Sequence, residues 1–290
     1  MSLKNTLKKV RQGIIKTFKA KNVVPVYVQK ENNNILNGKT ALITGGASGI
    51  GFGIAKAFVN AGCKVVIAGR NEIKLKNACS KLGDSCKYIT LDVSNVPSMD
   101  AKILEASKTF GENGQLDILV NSAGTHGDGH FVNVTEETFD SVINTNLKGT
   151  YFMCQKVGNY MIKNKIKGHI LNISSSSALK PAWTPYEVSK WGVCGMTKGA
   201  ASALIKHGIV VNALGPGPVA TEMLGRSEDD TLYMPEVPAK RYLPLPRKSD
   251  KWLYIWQAIF AILLSEILCI SQAVPELSKT KAEESVCILQ

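Results

Sequence analysis

Short apolar segments alternate with helical patterns along most of the chain, and this alternation constrains the fold more than any other feature. The apolar segments lie at residues 40–44, 64–69, 88–91, 116–120, 169–173 and 209–214. Helical patterns lie at residues 50–62, 72–82, 97–110, 135–148, 150–165 and 184–207. Strands this apolar are buried on both faces, so helices must cover both sides of a parallel sheet. We therefore predict an α/β domain with a doubly wound parallel sheet and a ligand site at the carboxyl ends of its strands.

A glycine-rich turn follows the first of these strands. The strand Ala41-Leu-Ile-Thr44 runs into Gly45-Gly-Ala-Ser-Gly-Ile-Gly51. Glycine suits such a turn because the turn is tight, the backbone must approach a pyrophosphate, and the helix packs closely on the strand. The phosphates would meet the positive end of the helix that starts near Gly49. The pattern predicts a Rossmann-type dinucleotide site, with cofactor-binding residues Gly45, Ser48, Gly49, Ile50 and Gly51.

A second glycine motif is excluded. Gly38-Lys39-Thr40 resembles the end of a P-loop, but Asn33 stands where the first glycine is required, and the triplet precedes its strand.

The end of the second strand bears on the choice of cofactor. This strand runs into Gly69-Arg70-Asn71, without the acidic residue that would bind the ribose 2′-hydroxyl of NAD. The Arg70 guanidinium can instead pair with a 2′-phosphate. We therefore favour NADP(H), with Arg70 and Asn71 at the ribose. The alternative is that Arg70 faces solvent and that NAD(H) binds as well.

Further motifs follow in a fixed order. They are Asp92-Val93, Asn121-Ser-Ala-Gly124, Asn146, Ser175, Tyr186-x-x-x-Lys190 and Pro216-Gly217. Together with the glycine turn, this series resembles the short-chain dehydrogenase/reductase (SDR) family in its single-domain branch, which includes 3-oxoacyl-acyl-carrier-protein reductases and sugar and alcohol dehydrogenases. The resemblance covers about residues 38–225.

The resemblance implies the catalytic residues. Tyr186 would be the acid/base, and Lys190, four residues later on the same helix face, would lower its pKa and bind the nicotinamide ribose. Ser175 would bind the substrate oxygen, although it is one of four consecutive serines at 174–177. Asn146 would support a water-linked proton path to the lysine, its alternative role being a helix cap.

The resemblance also implies further cofactor contacts. Asp92 is expected near the adenine. Asn121 is expected to stabilise the sheet and border the cofactor, and Thr221 to bond the nicotinamide carboxamide. The remaining expected contacts are Val93, Ala123, Gly124, Tyr186, Lys190, Pro216, Gly217 and Val219. We predict no metal, since the histidines and carboxylate of His126-Gly-Asp-Gly-His130 are carried on flexible glycines.

The charge of the chain is concentrated at its start. The formal net charge is +12, and residues 1–30 contain eight basic residues and no acidic one. The rest is only mildly basic, which gives no case for nucleic-acid binding. Residues 1–36 form a basic amphipathic extension that we expect to pack on the protein. Membrane-surface contact and an organelle transit peptide are the alternatives, and we expect no signal peptide.

The resemblance weakens after Gly225. We assign the catalytic domain to residues 37–225, a substrate lid to 226–250 and a divergent segment to 251–290. That segment lacks the Asp-Gly-Gly strand end of the family, and Pro275 disfavours a central strand. A membrane span at residues 252–270 and prenylation of the terminal Cys287-Ile-Leu-Gln290 are alternatives that we do not favour.

These features lead to a functional hypothesis. We expect an oxidoreductase that transfers hydride between NADP(H) and a carbonyl or secondary alcohol of a small molecule. A catalytically impaired dinucleotide-binding protein with a disrupted C-terminal part is the alternative. The resemblance implies a homo-oligomer. Seven scattered cysteines without a CxxC pair indicate thiols in a reducing compartment, and we expect the cytoplasm.

Overall fold

The computed structural model describes residues 34–112 and 114–217, together with the backbone of residues 286–289. The N-terminal amphipathic segment, the expected lid, the apolar run at 252–270, and Val219 and Thr221 all lie outside the described residues.

Strands and helices alternate as expected. The strands are β1 (Thr40–Thr44), β2 (Lys64–Gly69), β3 (Cys86–Thr90), β4 (Ile118–Asn121), β5 (His169–Ile173), β6 (Val210–Pro216) and β7 (Val286–Leu289). The α-helices are α1 (Gly49–Asn60), α2 (Glu72–Leu82), α3 (Met99–Lys108), α4 (Glu136–Ile143), α5 (Thr150–Lys163) and α6 (Pro185–Leu204). Short 3₁₀ segments lie at Val96–Ser98, Ser176–Leu179 and Ile205–His207.

The strands form one sheet in the order β3-β2-β1-β4-β5-β6-β7. The first six strands are parallel, which confirms the predicted fold class. The chain moves outward from β1 to β3 and then returns to place β4 on the other side of β1. This reversal opens a crevice at the carboxyl ends of β1 and β4, where ligands bind in open α/β sheets.

The side chains of alternate strand residues pack into two hydrophobic cores, one on each face of the sheet. Ala41 and Ile43 pack with Phe58 of α1 in the first core, which also contains the apolar side of α2. Leu42, between them, packs in the second core with α3 and with Met153 of α5. This two-residue alternation is that of a strand buried on both faces, and it explains why the sequence shows continuous apolar segments.

Two features differ from the sequence-based expectation. The helical patterns at 135–148 and 150–165 are one continuous helical stretch, because a π-helical segment at Asn144–Gly149 joins α4 to α5. The seventh strand comes from residues 286–289 and runs antiparallel to β6, with Pro216 beside Val286. The β-branched and apolar sequence Val-Cys-Ile-Leu suits a strand at this open edge of the sheet.

No helix among residues 34–112 and 114–217 is both long and apolar enough to cross a membrane.

Candidate active site

The glycine turn after β1 is built so that side chains would not fit. Gly45 has a φ of +66°, and a Cβ there would lie 2.8 Å from the backbone of Ala123. A Cβ on Gly51 would lie 2.3 Å from the carbonyl oxygen of Gly45. Ser48 precedes α1 in an extended conformation, and its side chain makes no capping bond to the helix. The first N–H groups of α1 therefore stay available to an anion, so the turn fits the pyrophosphate of a dinucleotide.

Thr44 ties this turn to the neighbouring strand, a role that the motif analysis missed. Its Oγ1 accepts hydrogen bonds from the N–H groups of Ser122 and Ala123, both at 3.2 Å. The segment after β4 is thereby held against the end of β1, where the crevice opens. A threonine at the last position of a buried strand was the available signal, since a buried hydroxyl needs partners.

Asn121 lies in a buried polar network across the sheet. Its Nδ2 donates to Asn172 Oδ1 of β5 at 2.9 Å, and Asn172 Nδ2 donates to Thr197 Oγ1 of α6 at 3.0 Å. The network therefore joins β4, β5 and α6 through side-chain hydrogen bonds. Asn121 Oδ1 is buried without a hydrogen-bond partner among the described residues.

Arg70, Asn71 and Asp92 lie at the carboxyl ends of β2 and β3. Asn71 Oδ1 accepts from Lys74 N at 3.0 Å and so caps α2. Burial acts to raise the pKa of Asp92, but hydrogen bonds from Ser94 and the positive charge of Arg70 outweigh it, so that this pKa lies below its usual value. Arg70 itself is exposed. Its guanidinium is therefore free to face solvent or an anionic ligand beside Asp92.

Lys190 is buried at the centre of the site. Its Nζ donates to the carbonyl oxygen of Ile173, the last residue of β5, at 2.8 Å. The same Nζ lies 5.5 Å from the ring centroid of Tyr186. Burial disfavours the charged form and lowers the pKa of Lys190 to about 8, while the nearby Cys194 acts in the opposite direction. This lysine can therefore gain or lose a proton near neutral pH.

Tyr186 faces Ser175 at the edge of the site. Burial raises the pKa of the Tyr186 phenol above its usual value, and the negative charge of Glu187 adds to this, whereas a hydrogen bond with Ser175 opposes both. The pKa of the phenol thus lies above its usual value, and the lowering that we expected from the neighbouring lysine is not among the causes of this shift. The phenol is accordingly protonated at neutral pH and can act as an acid.

Ser174 and Ser175 make different contacts. Ser174 is buried, and its hydroxyl donates to the backbone carbonyl of Lys190 at 3.0 Å. Ser175 begins the turn after β5, where its Oγ accepts from Ser177 N at 3.1 Å. Ser174 therefore holds α6 against the strand, while Ser175 is the serine that meets the tyrosine.

Asn146 lies in the π-helical segment, and its side chain is held from two sides. Its Oδ1 accepts from Thr125 N and its Nδ2 donates to Thr125 O, both at 2.8 Å. Nδ2 also reaches Ser189 Oγ at 3.1 Å. A Cβ on Gly124 would lie 3.3 Å from Asn146 Oδ1 and 3.9 Å from Lys190 Nζ, so Gly124 separates the amide from the amine. Asn146 is thus a buried bridge rather than a helix cap.

His126 approaches the site from the loop after β4. Its ring stacks on that of Tyr186 with the centroids 4.8 Å apart and the planes 23° apart. His126 was not among the predicted site residues, because its position over the phenol depends on a loop path that the sequence does not reveal. Within residues 34–112 and 114–217, no three His, Cys, Asp or Glu side chains are grouped as metal ligands.

Other expected cofactor residues lie at the carboxyl ends of β3 and β6. Val93 is buried against the end of the π-helical segment, where its carbonyl oxygen would lie 2.7 Å from a Cβ on Gly149. Pro216 ends β6, and Gly217 follows it. The site residues on the strand ends and the loops that follow them thus lie at the carboxyl ends of the six parallel strands.

The glycine turn, the Tyr-Lys helix and the doubly wound sheet define a dinucleotide-dependent oxidoreductase. The model of the short chain dehydrogenase family matches residues 39–232. The chain belongs to this family and is an NAD(P)-dependent enzyme that acts on CH–OH or C=O groups.

Individual relatives cover about two thirds of the chain. It is 39% identical over 189 residues to galactitol 2-dehydrogenase of Agrobacterium fabrum, a match covering 64% of this chain and 73% of that protein. It is 38% identical over 197 residues to a 3-oxoacyl-[acyl-carrier-protein] reductase of Chlamydia muridarum, covering 66% and 78%. Among solved structures, actinorhodin polyketide ketoreductase with NADPH matches with a TM-score of 0.60 at 34% identity, covering 64% and 72%.

Proposed function

We propose that the chain transfers hydride between NADP(H) and a carbonyl or secondary alcohol of a small molecule, using Ser175, Tyr186, Lys190 and Asn146. The observation that carries this proposal is the meeting of Tyr186, Ser175 and the buried Lys190 beyond the end of β5. When bound, the nicotinamide supplies or accepts the hydride.

The side chains divide the proton chemistry in the reductive direction. Ser175 holds the substrate oxygen beside the phenol, and Tyr186 donates its proton to that oxygen as the alcohol forms. The Tyr186 phenolate then recovers a proton from Lys190, whose pKa of about 8 makes it a proton reservoir at neutral pH. The family water path would refill Lys190, with Asn146 fixing Thr125 and Ser189 around it.

Removal of the phenol hydroxyl tests this mechanism. Tyr186→Phe keeps the ring and its stacking but cannot donate a proton, so we expect kcat with NADPH and a carbonyl panel to fall by about 100-fold or more. NADPH binding, measured by fluorescence titration, should persist. Tyr151→Phe on the exposed face of α5 is the matched control and should turn over normally. Full turnover by Tyr186→Phe would refute the mechanism.

We also propose a preference for NADP(H) over NAD(H), supported by the exposed Arg70 and by the ketoreductase relative solved with NADPH. Arg70→Ala should raise the Kd for NADPH by about tenfold or more and leave the Kd for NADH nearly unchanged. Lys81→Ala, at the other end of α2, is the control. Equal losses for both cofactors would contradict the assignment of Arg70 to the 2′-phosphate.

The same measurements distinguish an active reductase from the alternative, a catalytically impaired dinucleotide-binding protein. A wild-type chain that binds NADPH tightly but reduces no member of a broad carbonyl panel would be a dinucleotide-binding protein rather than an active reductase. Substantial turnover excludes that alternative.

A further inference from the structure

Two thiols outside the active site lie in contact. Cys79 is in the last turn of α2 and Cys86 is the first residue of β3, and their Sγ atoms are 3.4 Å apart. A disulfide needs the sulfurs at about 2.05 Å, so side-chain rotation has to close a gap of little more than about 1 Å. The two cysteines lie seven positions apart in sequence, joined through a short turn.

The backbone of this turn fixes both cysteines. Gly83 has a φ of +79°, its N–H donates to Cys79 O, and its carbonyl oxygen accepts from Cys86 N, each bond being 3.0 Å long. The left-handed conformation favours glycine, which ends the helix and reverses the chain toward the strand. The approach of the two sulfurs is therefore built into the helix-to-strand connection.

The two thiols differ in access to solvent. Cys79 is half-buried, Cys86 is buried, and the intervening residues Gly83, Asp84 and Ser85 are exposed. The hydrogen bond from Cys86 lowers the pKa of Cys79 against the opposing effect of burial, whereas the same contact and burial raise the pKa of Cys86. Cys79 is thus the thiol with more thiolate character and better access, the two properties that make a cysteine reactive.

None of the other cysteines within residues 34–112 and 114–217 combines access to solvent with a neighbouring thiol. Cys63 and Cys154 are buried, and burial raises the pKa of each thiol to about 12. Cys194 is half-buried like Cys79, but its Sγ contacts Ser174 Oγ at 3.1 Å rather than a second thiol.

We propose that Cys79 and Cys86 form a redox modification site, which low-molecular-weight disulfides such as oxidised glutathione convert to an intramolecular disulfide. The Cys79 thiolate attacks one glutathione sulfur, forming a mixed disulfide and releasing one glutathione thiolate. The Cys86 thiolate then attacks Cys79 Sγ and releases the second. Overall, two protein thiols are oxidised, one glutathione disulfide is reduced to two thiols, and the protein loses two hydrogen atoms.

The site is separate from the proposed catalytic chemistry. Cys86 is level with Val65 at the amino end of β2, whereas Thr90 is level with Gly69 beside Arg70. The disulfide would therefore fasten the end of α2 to β3 at the edge of the sheet away from the cofactor.

Peptide mapping of the native full-length chain tests the proposal. Trypsin cleaves after Lys76, Lys81 and Lys87, which places Cys79 in peptide 77–81 and Cys86 in peptide 82–87, with one cysteine in each. The native chain is treated with oxidised glutathione, and its free thiols are then alkylated. We expect these two peptides to be joined by a disulfide and to be separated again by dithiothreitol. Recovery of both as separate alkylated peptides, or cross-linking scattered equally among all cysteines, would overturn the proposal.

Single variants test the order of attack. Cys86→Ser lacks the second thiol, so glutathione should accumulate on Cys79. Cys79→Ser should leave Cys86 unmodified, because that thiol is buried. Cys194→Ser is the control and should retain the joined peptides. If the wild-type chain carried glutathione on Cys86 while Cys79 stayed unmodified, Cys86 would be the attacking thiol, and the proposal would be contradicted. The wild-type peptide map remains decisive even if a variant fails to fold.

Discussion

The burial of Lys190 predicts an unusual dependence of stability on pH. The folded chain lowers the pKa of this amine from 10.5 to about 8, mainly by burial. Replacement by methionine, Lys190→Met, keeps a long unbranched side chain but removes the titrating group. It also leaves the carbonyl oxygen of Ile173 without the 2.8 Å hydrogen bond from Nζ. The loss of this partner costs about 1–3 kcal/mol, independently of pH.

The sign of the effect follows from proton binding. Between the folded and unfolded pKa values the unfolded chain holds a proton on Lys190 that the folded chain does not, so the free energy of unfolding rises with pH. Below the folded pKa both states are protonated, and the folded state carries the full penalty of a buried charge. A shift of this size corresponds to about 3 kcal/mol, of which about 2–3 kcal/mol is relieved between about pH 7 and pH 10.

Urea unfolding at several pH values measures this effect. The free energy of unfolding of the wild type, minus that of Lys190→Met, should increase by about 2–3 kcal/mol from about pH 7 to pH 10. Lys198→Met, at an exposed position of the same helix, should give a flat difference. A flat difference for Lys190→Met as well would show that this amine is not desolvated in the folded chain, and the reasoning would fail.

Three further predictions concern Gly51 in the glycine turn, the bridge from Asn146 to Thr125, and the His126 ring stacked on Tyr186. Gly51→Ala places a Cβ 2.3 Å from a backbone carbonyl oxygen, so the Kd for NADPH should rise by about tenfold or more in a fluorescence titration. Asn146→Ala leaves the part-buried backbone N–H and C=O of Thr125 without these partners and should lower the free energy of unfolding by about 1–3 kcal/mol in urea. His126→Ala removes the ring stacked on the phenol and should lower kcat/KM by about two- to tenfold.

Each of these has a control. A Cβ on Gly195 of α6 would meet nothing within 4 Å, so Gly195→Ala should leave NADPH binding unchanged. Asn164→Ala, whose amide bonds only an exposed carbonyl at the end of α5, should cost less stability than Asn146→Ala. His130→Ala should leave kcat/KM unchanged. Results in which a control and its partner behave alike would contradict the corresponding argument.

The sequence predicted the sheet well because buried parallel strands carry an unbroken apolar signal. β1, β2 and β5 have the predicted bounds. The prediction for β3 was less accurate. It started the strand at residue 88, whereas the strand begins at Cys86, which pairs with Val65. The π-helical segment was predicted as a break between two helices, because its i→i+5 bonding adds a residue and shifts the apolar pattern of the second helix relative to the first.

The residues of the site were predictable to different degrees. The spacing of Tyr186 and Lys190 on a helix placed both on one face, but it could not show that Nζ reaches Ile173 O. The stacking of His126 depends on a loop path that no periodicity records. The contact between Cys79 and Cys86 depends in the same way on a connection whose geometry is set by one glycine in the left-handed conformation.

The double hydrogen bond between Asn146 and Thr125 divides the loop after β4 into two parts with different freedom to change during evolution. Thr125 is anchored to α6 through Asn146 and Ser189. Beyond Gly127, the exposed Phe131 and Val132 carry no such anchor among their described contacts. The distal part follows His126, whose ring stacks on Tyr186. We therefore expect substitutions at residues 128–134 to leave the proposed proton-transfer geometry unchanged, which makes this segment the first region to randomise in directed evolution.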